Sequence, residues 1–564
     1  MQRFKRLFLN KEADALNFCT WLFLLCLGPL LALAIELVHY PSQLSAGLAM
    51  RIVAAELVSE GELPYVDFWD WTQPVIYEIF KYPCLLAGFL KDVGQPVIPA
   101  ILIPPLIFAF ALLAFALATA LYLQAGRGSI AGSQDEQSFS DFTTACFFGY
   151  ALTALLARFD FGELQYLLLI CLFPWLLLRS YVHSGRRVHP AFSVLTGSLA
   201  GLGACLDLPF LGVFIILELA LLLQSRRWRT LGSPDCLAFV LTVALNLFWL
   251  SHLESSVGNA FWNWTMPLKW LSYFVLEPGI FGPTSCPRRV DVLYCLCATG
   301  CIAFVWHRRH SWLAALAALL FAGFFLFLFE GNGLSQNLIL TIFAASAIFS
   351  GFASVFVRYW LGLLGEKGAR LSPLLQSQIV LVLMAWTATT LTCGSLAQDR
   401  QSLQAETSAG YRKGEISIAQ LIEESTAQRD KVSVLCTSPA PVYSYLALSG
   451  RKPGGYLLFA KPLVLFKWLK ENATLTGAMK DFYDFINNRL TNDIEQQQSS
   501  ALVVCDDSIW DCYGRQSSLP LLERYYQKSA RPGQYFSHKN HQPAEYCGLK
   551  YSPMLFVRKP VASQ

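Results

Sequence analysis

Residues 97–123, with the sequence VIPAILIPPLIFAFALLAFALATALYL, decide the fold because they run without a charged side chain. About 17–25 apolar residues are what a helix needs to cross the hydrocarbon core of a bilayer. Similar runs recur as far as residue 396, and the chain of 564 residues is 54% hydrophobic with only 15% charged residues. A soluble domain could not bury this much apolar surface. The sequence therefore predicts a polytopic α-helical membrane protein.

The lengths of the apolar runs predict about eleven spans, at roughly 16–38, 97–123, 142–157, 164–182, 192–206, 209–225, 234–252, 291–306, 311–329, 337–357 and 376–396. Alternate connections are rich in Arg and Lys, beginning with the amino terminus. Cytoplasmic loops carry this excess of positive charge, so the amino terminus is predicted to be cytoplasmic. An odd number of spans then places residues 397–564 outside a plasma (inner) membrane. We expect a transmembrane domain at 1–396 and an extracytoplasmic domain at 397–564.

The long outer loop at 39–96 contains the most informative segment, residues 61–74, GELPYVDFWDWTQP. Apolar residues every three to four positions between 44 and 55 predict a helix along the membrane surface ahead of it. Asp67 and Asp70, spaced three apart, could share a face of one helical turn. They could serve as a catalytic base and a metal ligand, or together bind a divalent cation such as Mg²⁺ or Mn²⁺. The alternative is that Asp67 caps the next helix and Asp70 is solvated.

Other outward segments supply further candidates. The turn after the third predicted span carries Asp160 and Glu163 as weaker acidic candidates, flanked by Arg158. Arg158, Arg51 and Lys269 are the cations that could bind a lipid phosphate, because an anionic head group is recognised by Arg or Lys. Aromatic residues in these segments could line a groove or anchor the chain in the interface, where Trp and Tyr concentrate: Tyr65, Trp69, Trp71 and Trp264.

After residue 396 the long apolar runs stop, and short strand patterns alternate with helical ones. Strands are predicted at 431–436, 454–459, 501–505 and 554–557, with helices at 438–448 and 462–492. This alternation favours a small α/β domain with a largely parallel sheet. Cys436, Cys505, Cys512 and Cys547 would lie outside the membrane, and Cys512–Cys547 is a plausible disulfide, although sequence cannot fix the connectivity.

The pattern Gly61-x-x-Pro64-Tyr65-x-Asp67-Phe68-x-Asp70-x-x-x-Pro74 resembles bacterial polytopic glycosyltransferases of the C-type (GT-C) fold. This superfamily includes protein mannosyltransferases and lipid A aminoarabinose transferases. Phe161-Gly162 followed by Leu-rich sequence and Pro174 is similar to a second signature, and residues 438–443 (SPAPVY) to a third. The chain departs from the family at Gly47-Leu48, where relatives often carry Asp-Glu.

The resemblance implies transfer of a sugar from a polyprenyl-phosphate carrier to an envelope lipid, glycan or protein on the outer face. An acidic residue of the first outer loop then acts as base or metal ligand, which here implies Asp67 and Asp70. Two alternatives stay open. The chain could be a catalytically silent subunit of an envelope polysaccharide pathway, or a transporter, against which stands the scarcity of ionisable residues deep in the spans. The dispersed basic residues do not suggest nucleic-acid binding.

Overall fold

The computed structural model describes residues 44–94, 97–127, 134–156, 161–275, 313–330, 338–363, 418–427, 430–436, 442–472, 475, 477–496, 499–504, 524, 526–528, 545–546, 549–550 and 554–558. This part of the chain is mostly helical, with several apolar helices and a small mixed sheet. The predicted spans at 16–38, 291–306 and 376–396 lie outside the described residues.

The helices up to residue 363 are α1 (Ala46–Ser59), α2 (Pro74–Asp92), α3 (Pro99–Arg127), α4 (Gln134–Leu156), α5 (Leu164–His183), α6 (Pro190–Cys205), α7 (Leu208–Ser225), α8 (Pro234–Ser251), α9 (Ser255–Ala260), α10 (Met266–Val275), α11 (Leu313–Glu330) and α12 (Ile339–Leu363). One π-helical turn, Phe261–Thr265, joins α9 to α10. The later elements are α13 (Ile418–Ser425), β1 (Lys431–Leu435), α14 (Val442–Ser449), β2 (Lys452–Pro453), α15 (Lys461–Asn472), α16 (Gly477–Glu495), β3 (Ala501–Val504), β4 (Tyr526–Lys528), β5 (Glu545–Tyr546), β6 (Leu549–Lys550) and β7 (Met554–Arg558).

Four described helices are long and apolar enough to cross a bilayer, and they coincide with predicted spans: Pro99–Gln124, Leu164–His183, Leu208–Ser225 and Pro234–Ser251. Helix α8 shows why a bilayer must surround them, since Val240 and Phe248 are each 61% exposed. Apolar surface of this extent is stable in lipid and costly in water. The chain is therefore a membrane protein. Helices also occur at the spans predicted for 142–157, 192–206, 311–329 and 337–357.

Small residues allow α6 and α8 to pack closely. A Cβ at Gly201 would lie 2.7 Å from Cβ of Thr242, a separation that real side chains do not reach. Gly197 meets the backbone of Asp235 in the same way. The Gly-x-x-x-Gly spacing of the sequence predicts such a contact, because small residues let two helix backbones approach, and the structure confirms it.

The helix predicted to lie along the membrane surface is present as α1, but it is buried rather than superficial. Leu48, Ala49, Ala54 and Ala55 are all fully covered, because α2, α3 and α14 pack around it. The helix of this loop that turns apolar side chains outward is α2, where Tyr82 and Phe89 are 70% and 64% exposed. The apolar spacing predicted a helix correctly but not its neighbours, which come from distant parts of the chain.

The larger sheet has the strand order β2-β1-β3-β7-β4. Strand β1 pairs in parallel with β2 and β3, whereas β7 pairs antiparallel with β3 and β4. The sheet is thus mixed rather than largely parallel, and β4 was not predicted. Residues 454–459 form mostly bends instead of the predicted strand, with a single β-bridge from Leu457 to Trp69. The predicted helix at 462–492 is divided into α15 and α16.

The sheet region is tied by backbone hydrogen bonds to the 39–96 loop, for which the predicted name, outer loop, is kept. Trp69 N donates to Tyr456 O at 2.7 Å, and Leu458 N donates to Trp69 O at 3.0 Å. Ser444 Oγ donates to Leu44 O at 2.9 Å, just ahead of α1. The buried apolar residues of the sheet region and of the helices form one continuous core. This docking fixes the shape of the segment that carries Asp67 and Asp70.

Candidate active site

The segment 61–73 is a series of turns, so Asp67 and Asp70 do not share a helical face. Gly61, with φ of 99°, follows the end of α1, and Tyr65 has φ of 64°, which is unusual for a residue with a side chain. Tyr65 N donates to Phe68 O at 2.6 Å, and Tyr65 O accepts from Tyr456 OH at 2.8 Å. Such a conformation costs on the order of 1–3 kcal/mol and persists only where the surroundings fix it.

Asp70 is completely buried and its carboxylate accepts three hydrogen bonds. Oδ1 accepts from Thr72 N at 2.7 Å and from Tyr77 OH, and Oδ2 accepts from Thr72 Oγ1 at 2.9 Å. Burial raises the pKa of the Asp70 carboxyl, whereas the Tyr77 and Thr72 hydrogen bonds and the charge of Arg51 lower it. Burial has the larger effect, so Asp70 is a stronger base than a solvated aspartate.

Asp67 points to a different place. Its Oδ2 accepts from Leu63 N at 2.8 Å, and it borders a cavity of about 350 Å³ between the end of α1 and the sheet region. Across this cavity lie Lys431, Arg489 and Asp493. Burial raises the pKa of the Asp493 carboxyl. The cavity offers charged groups of both signs, which suits a polar ligand.

Glu163 forms a buried ion pair with Arg51, at the end of the bundle that was predicted to face outward. Its Oε2 accepts from Arg51 Nη1 at 2.8 Å, and its Oε1 accepts from Ser45 Oγ at 2.6 Å. Glu163 stands at the N-cap of α5 but caps none of that helix's described N–H groups, because its side chain reaches across to α1. The reach is possible because position 47 is glycine: a Cβ there would lie 2.5 Å from Glu163 Oε1.

Arg51 interacts with the two buried carboxylates, those of Glu163 and Asp70. It pairs with Glu163 directly, and its charge also acts on Asp70. Its Nε has no hydrogen-bond partner among the described residues, although Arg51 is only 9% exposed. A buried N–H without a partner is costly and marks a place where an anionic ligand could bind.

Tyr443 is a member of this cluster that sequence reasoning did not single out. Its hydroxyl is buried and has no partner within the described chain. Tyr443 lies on α14, which packs against α1, and burial and the charge of Asp70 both raise the pKa of its phenol. The only signal in the sequence was its position at the end of the SPAPVY motif. We call Ser45, Arg51, Asp70, Glu163 and Tyr443 the Arg51 cluster.

Lys269, the third predicted phosphate-binding cation, is already paired. Its Nζ donates to both carboxylate oxygens of Asp207, at 2.8 and 2.7 Å, and both residues are buried. A phosphate would have to displace Asp207 to bind this lysine. Arg158 and Asp160 lie outside the described residues.

The predicted aromatic residues form packed contacts within the protein. Trp69 Nε1 donates to Thr265 Oγ1 at 3.0 Å, and the Trp69 ring lies 5.5 Å from that of Trp71. Trp264 stacks on Phe482 of α16, with ring centroids 4.7 Å apart. These rings hold the outer loop, the 253–275 segment and the sheet region together.

The described residues do not fit a cation shared by Asp67 and Asp70. The two carboxylates have separate partners, and no group of three His, Cys, Asp or Glu residues suited to a metal ion occurs in the described chain. We therefore derive no step through a metal. The divalent cation remains a prediction, because Asp160 is outside the described part.

Comparisons with known proteins give little further guidance. No family model matches the chain, and no curated protein matches it. Among solved structures, the chain is similar to the apo crystal structure of an oligosaccharyltransferase from Archaeoglobus fulgidus, with 10% identity and a TM-score of 0.36. The similarity covers 90% of this chain and 73% of that one. A likeness at this level supports no inference about function.

Proposed function

We propose that the chain is a membrane glycosyltransferase that moves a sugar from a polyprenyl-phosphate-linked donor to a lipid, glycan or protein acceptor at the outer face of the membrane. The observation that carries this proposal is the Arg51–Glu163 ion pair, buried where α5 begins. The pair combines a carboxylate that can accept a proton with a guanidinium that can hold a phosphate, at the end of a helix able to cross the membrane.

The reaction needs one carboxylate to accept a proton. As the acceptor hydroxyl oxygen bonds to the anomeric carbon, the bond from that carbon to the phosphate oxygen breaks, and the hydroxyl proton passes to the base. Glu163 Oε1 now accepts a hydrogen bond from Ser45 Oγ, and an acceptor hydroxyl could take the place of that serine. General-base catalysis of this kind contributes about 10²–10⁴-fold in rate.

The leaving group is the lipid phosphate, and Arg51 is the described cation best placed to hold it. Its Nε–H is unpaired within the described chain, so it can donate to a phosphate oxygen without breaking the Glu163 contact through Nη1. Asp70 acts by holding its own segment in shape, since its three hydrogen bonds come from Thr72 and Tyr77. We assign Asp70 a positioning role and Glu163 the role of base.

A disulfide at Cys436 supports the predicted placement of the sheet region outside the cell. Cys436 directly follows β1 and is disulfide-bonded. Disulfides persist in oxidising compartments and are rare in the cytosol.

The experiment compares envelope glycans by mass spectrometry in cells that lack the protein and in cells that carry wild type, Glu163→Gln or Glu254→Gln. Glu254 is an exposed glutamate of the same outer region and serves as the matched control. We expect a glycan species that depends on the protein, that persists with Glu254→Gln, and whose formation falls by about 10²-fold or more with Glu163→Gln.

Two results would count against the proposal. Identical glycans with and without the wild-type protein would remove the transferase function. A protein-dependent glycan that Glu163→Gln leaves unchanged, at normal protein levels in the membrane, would remove Glu163 as the base and favour a catalytically silent subunit.

A further inference from the structure

A second site lies at the other end of the helical bundle, in the loop between α7 and α8. Arg226 ends α7 in a left-handed conformation, with φ of 55°, and a 3₁₀ turn follows at Trp228–Gly232. A cavity of about 660 Å³ opens here. Its lining includes Arg226, Arg227, Trp228, Arg229, Thr230 and Ser233.

A buried arginine beneath the loop holds it in this shape. Arg179 of α5 is completely buried, and its Nη1 donates to Ser233 Oγ and to Asp235 Oδ2, both at 2.8 Å. Its Nε donates to Glu218 Oε2 at 2.8 Å. Both carboxylates near the loop are therefore engaged by Arg179. The cavity wall is fixed by this network and does not depend on the exposed arginines.

The positive charges of the arginines that line the cavity are not neutralised by described carboxylates. Arg226, Arg227 and Arg229 are all exposed, and within the described ranges none of them forms an ion pair with a carboxylate. The Arg227 guanidinium lies over Gly185, a glycine with φ of 83° in the turn after α5. Thr230 and Ser233 also line the cavity, but their hydroxyls donate to the backbone carbonyl oxygens of Arg227 and Thr230, at 2.7 and 2.6 Å. The donors left for a ligand are therefore the guanidinium groups, whose planar N–H groups match the oxygens of a phosphate group.

Exposed apolar side chains on the helix turns just before and after the cavity loop favour an amphiphile over a soluble phosphate. Leu223, in the last turn of α7, is 72% exposed, and Leu237, in the first turn of α8, is 61% exposed. Trp228, at 61% exposed, lies between them in the sequence. An indole at the end of spanning helices suits the head-group layer of a bilayer. A lipid could place its phosphate among the arginines and its acyl chains along the two leucines.

We propose that this cavity binds the head group of an anionic phospholipid from the leaflet that borders it. The site is separate from the Arg51 cluster and does not depend on the proposed transferase function. Basic pockets between membrane helices recognise such head groups through local positive charge. The bound lipid would join α5, α7 and α8 at their shared end.

The test uses the purified full-length protein in phosphatidylcholine micelles, to which phosphatidylglycerol is added, with native mass spectrometry to count retained lipid. Each Arg near an anionic lipid surface adds roughly fivefold in affinity. We therefore expect Arg226→Ala/Arg227→Ala/Arg229→Ala to bind phosphatidylglycerol on the order of a hundredfold more weakly than wild type. Arg187→Ala, an exposed arginine of the same end that does not line the cavity, is the control and should bind as wild type does.

A second variant, Arg227→Glu/Arg229→Glu, keeps Arg226 at the helix end and serves if the triple variant does not fold. This double variant should lose phosphatidylglycerol to a similar extent. Equal retention of phosphatidylglycerol by the wild type and either folded variant would overturn the proposal. So would retention of phosphatidylcholine as strong as that of phosphatidylglycerol. Glycerol 1-phosphate added without anionic lipid should not raise the melting temperature; stabilisation equal to that given by phosphatidylglycerol would show a soluble-phosphate site instead.

Discussion

The carboxylate of Glu163 occupies the space that a side chain at position 47 would fill. A Cβ on Gly47 would lie 2.5 Å from Glu163 Oε1 and 2.8 Å from Oε2. Glu163 thus crosses to α1 and meets Ser45 and Arg51, which flank the glycine in sequence. A carboxylate therefore lies against α1 at the position where that helix has no side chain of its own.

The first prediction follows from this contact. Gly47→Ala should displace the Glu163 carboxylate, because the two groups cannot share the space, and should destabilise the protein by about 1–3 kcal/mol. Misplacing a catalytic group by about 1 Å can cost about 10²-fold in rate. Gly88→Ala is the matched control, since a Cβ at Gly88 in α2 has no described neighbour within 4 Å. Gly47→Ala should lower both the melting temperature and the amount of the protein-dependent glycan. Gly88→Ala should leave the glycan unchanged and should not lower the melting temperature, because alanine is the better helix former.

The second prediction concerns pH and Asp70. Burial raises the pKa of Asp70 above its usual 3.8, so folding favours the protonated form. This contribution is fully present below pH 3.8 and is lost as the pH rises through the folded-state pKa. The stability of wild type relative to Asp70→Asn should therefore fall as the pH rises above 3.8, and then level off. Melting temperatures of wild type and Asp70→Asn across this pH range would show the fall. A stability difference that instead rises with pH would contradict the raised pKa of Asp70.

The third prediction concerns the joint between the outer loop and the 253–275 segment. Trp69→Phe removes the donor to Thr265 Oγ1 and should cost about 1–3 kcal/mol, because the hydroxyl stays buried. Trp69→Ala also leaves a cavity and should cost about 3–5 kcal/mol. Trp262→Phe, at a half-exposed tryptophan nearby, should change stability by no more than about 0.5 kcal/mol. Resistance to limited proteolysis and melting temperature provide the measurements. Equal losses of stability on substitution of Trp69 and of Trp262 would mean that the joint between the outer loop and the 253–275 segment is not rigid.

The fourth prediction concerns the network of Arg179. Arg179→Met leaves Asp235 buried without a cation and leaves Glu218 with only His183, at 3.1 Å, which should cost about 3–5 kcal/mol. Adding Glu218→Gln and Asp235→Asn to the same protein should restore most of that stability, since no unpaired charge is then buried. The melting temperatures of the single and triple variants decide the point. Failure of the triple variant to recover would mean that Arg179 stabilises mainly by packing against Trp175, whose ring its guanidinium faces at 6.0 Å.

Part of the fold could be predicted because it depends on the residues of one segment alone. An apolar run such as 164–182 predicts a span wherever it occurs, and the structure has a helix at Leu164–His183. The small residues Gly197 and Gly201 likewise predicted a close helix contact. The sheet was predicted less well. Strand β7 was recognised, but its antiparallel pairing with β3 depends on how the chain returns, which local periodicity does not encode.

Sequence by itself determined that this chain needs a bilayer, since the exposed apolar surface of its helices follows directly from composition and run length. Only the tertiary structure decided which charged groups meet. Glu163 and Arg51 are 112 positions apart and pair because α5 begins beside α1. Asp67 and Asp70 are three positions apart but have different surroundings. Their segment is a series of turns, with a positive φ at Tyr65, and is not a helix. Spacing along the chain governs contacts only within a regular element, and these contacts lie between elements.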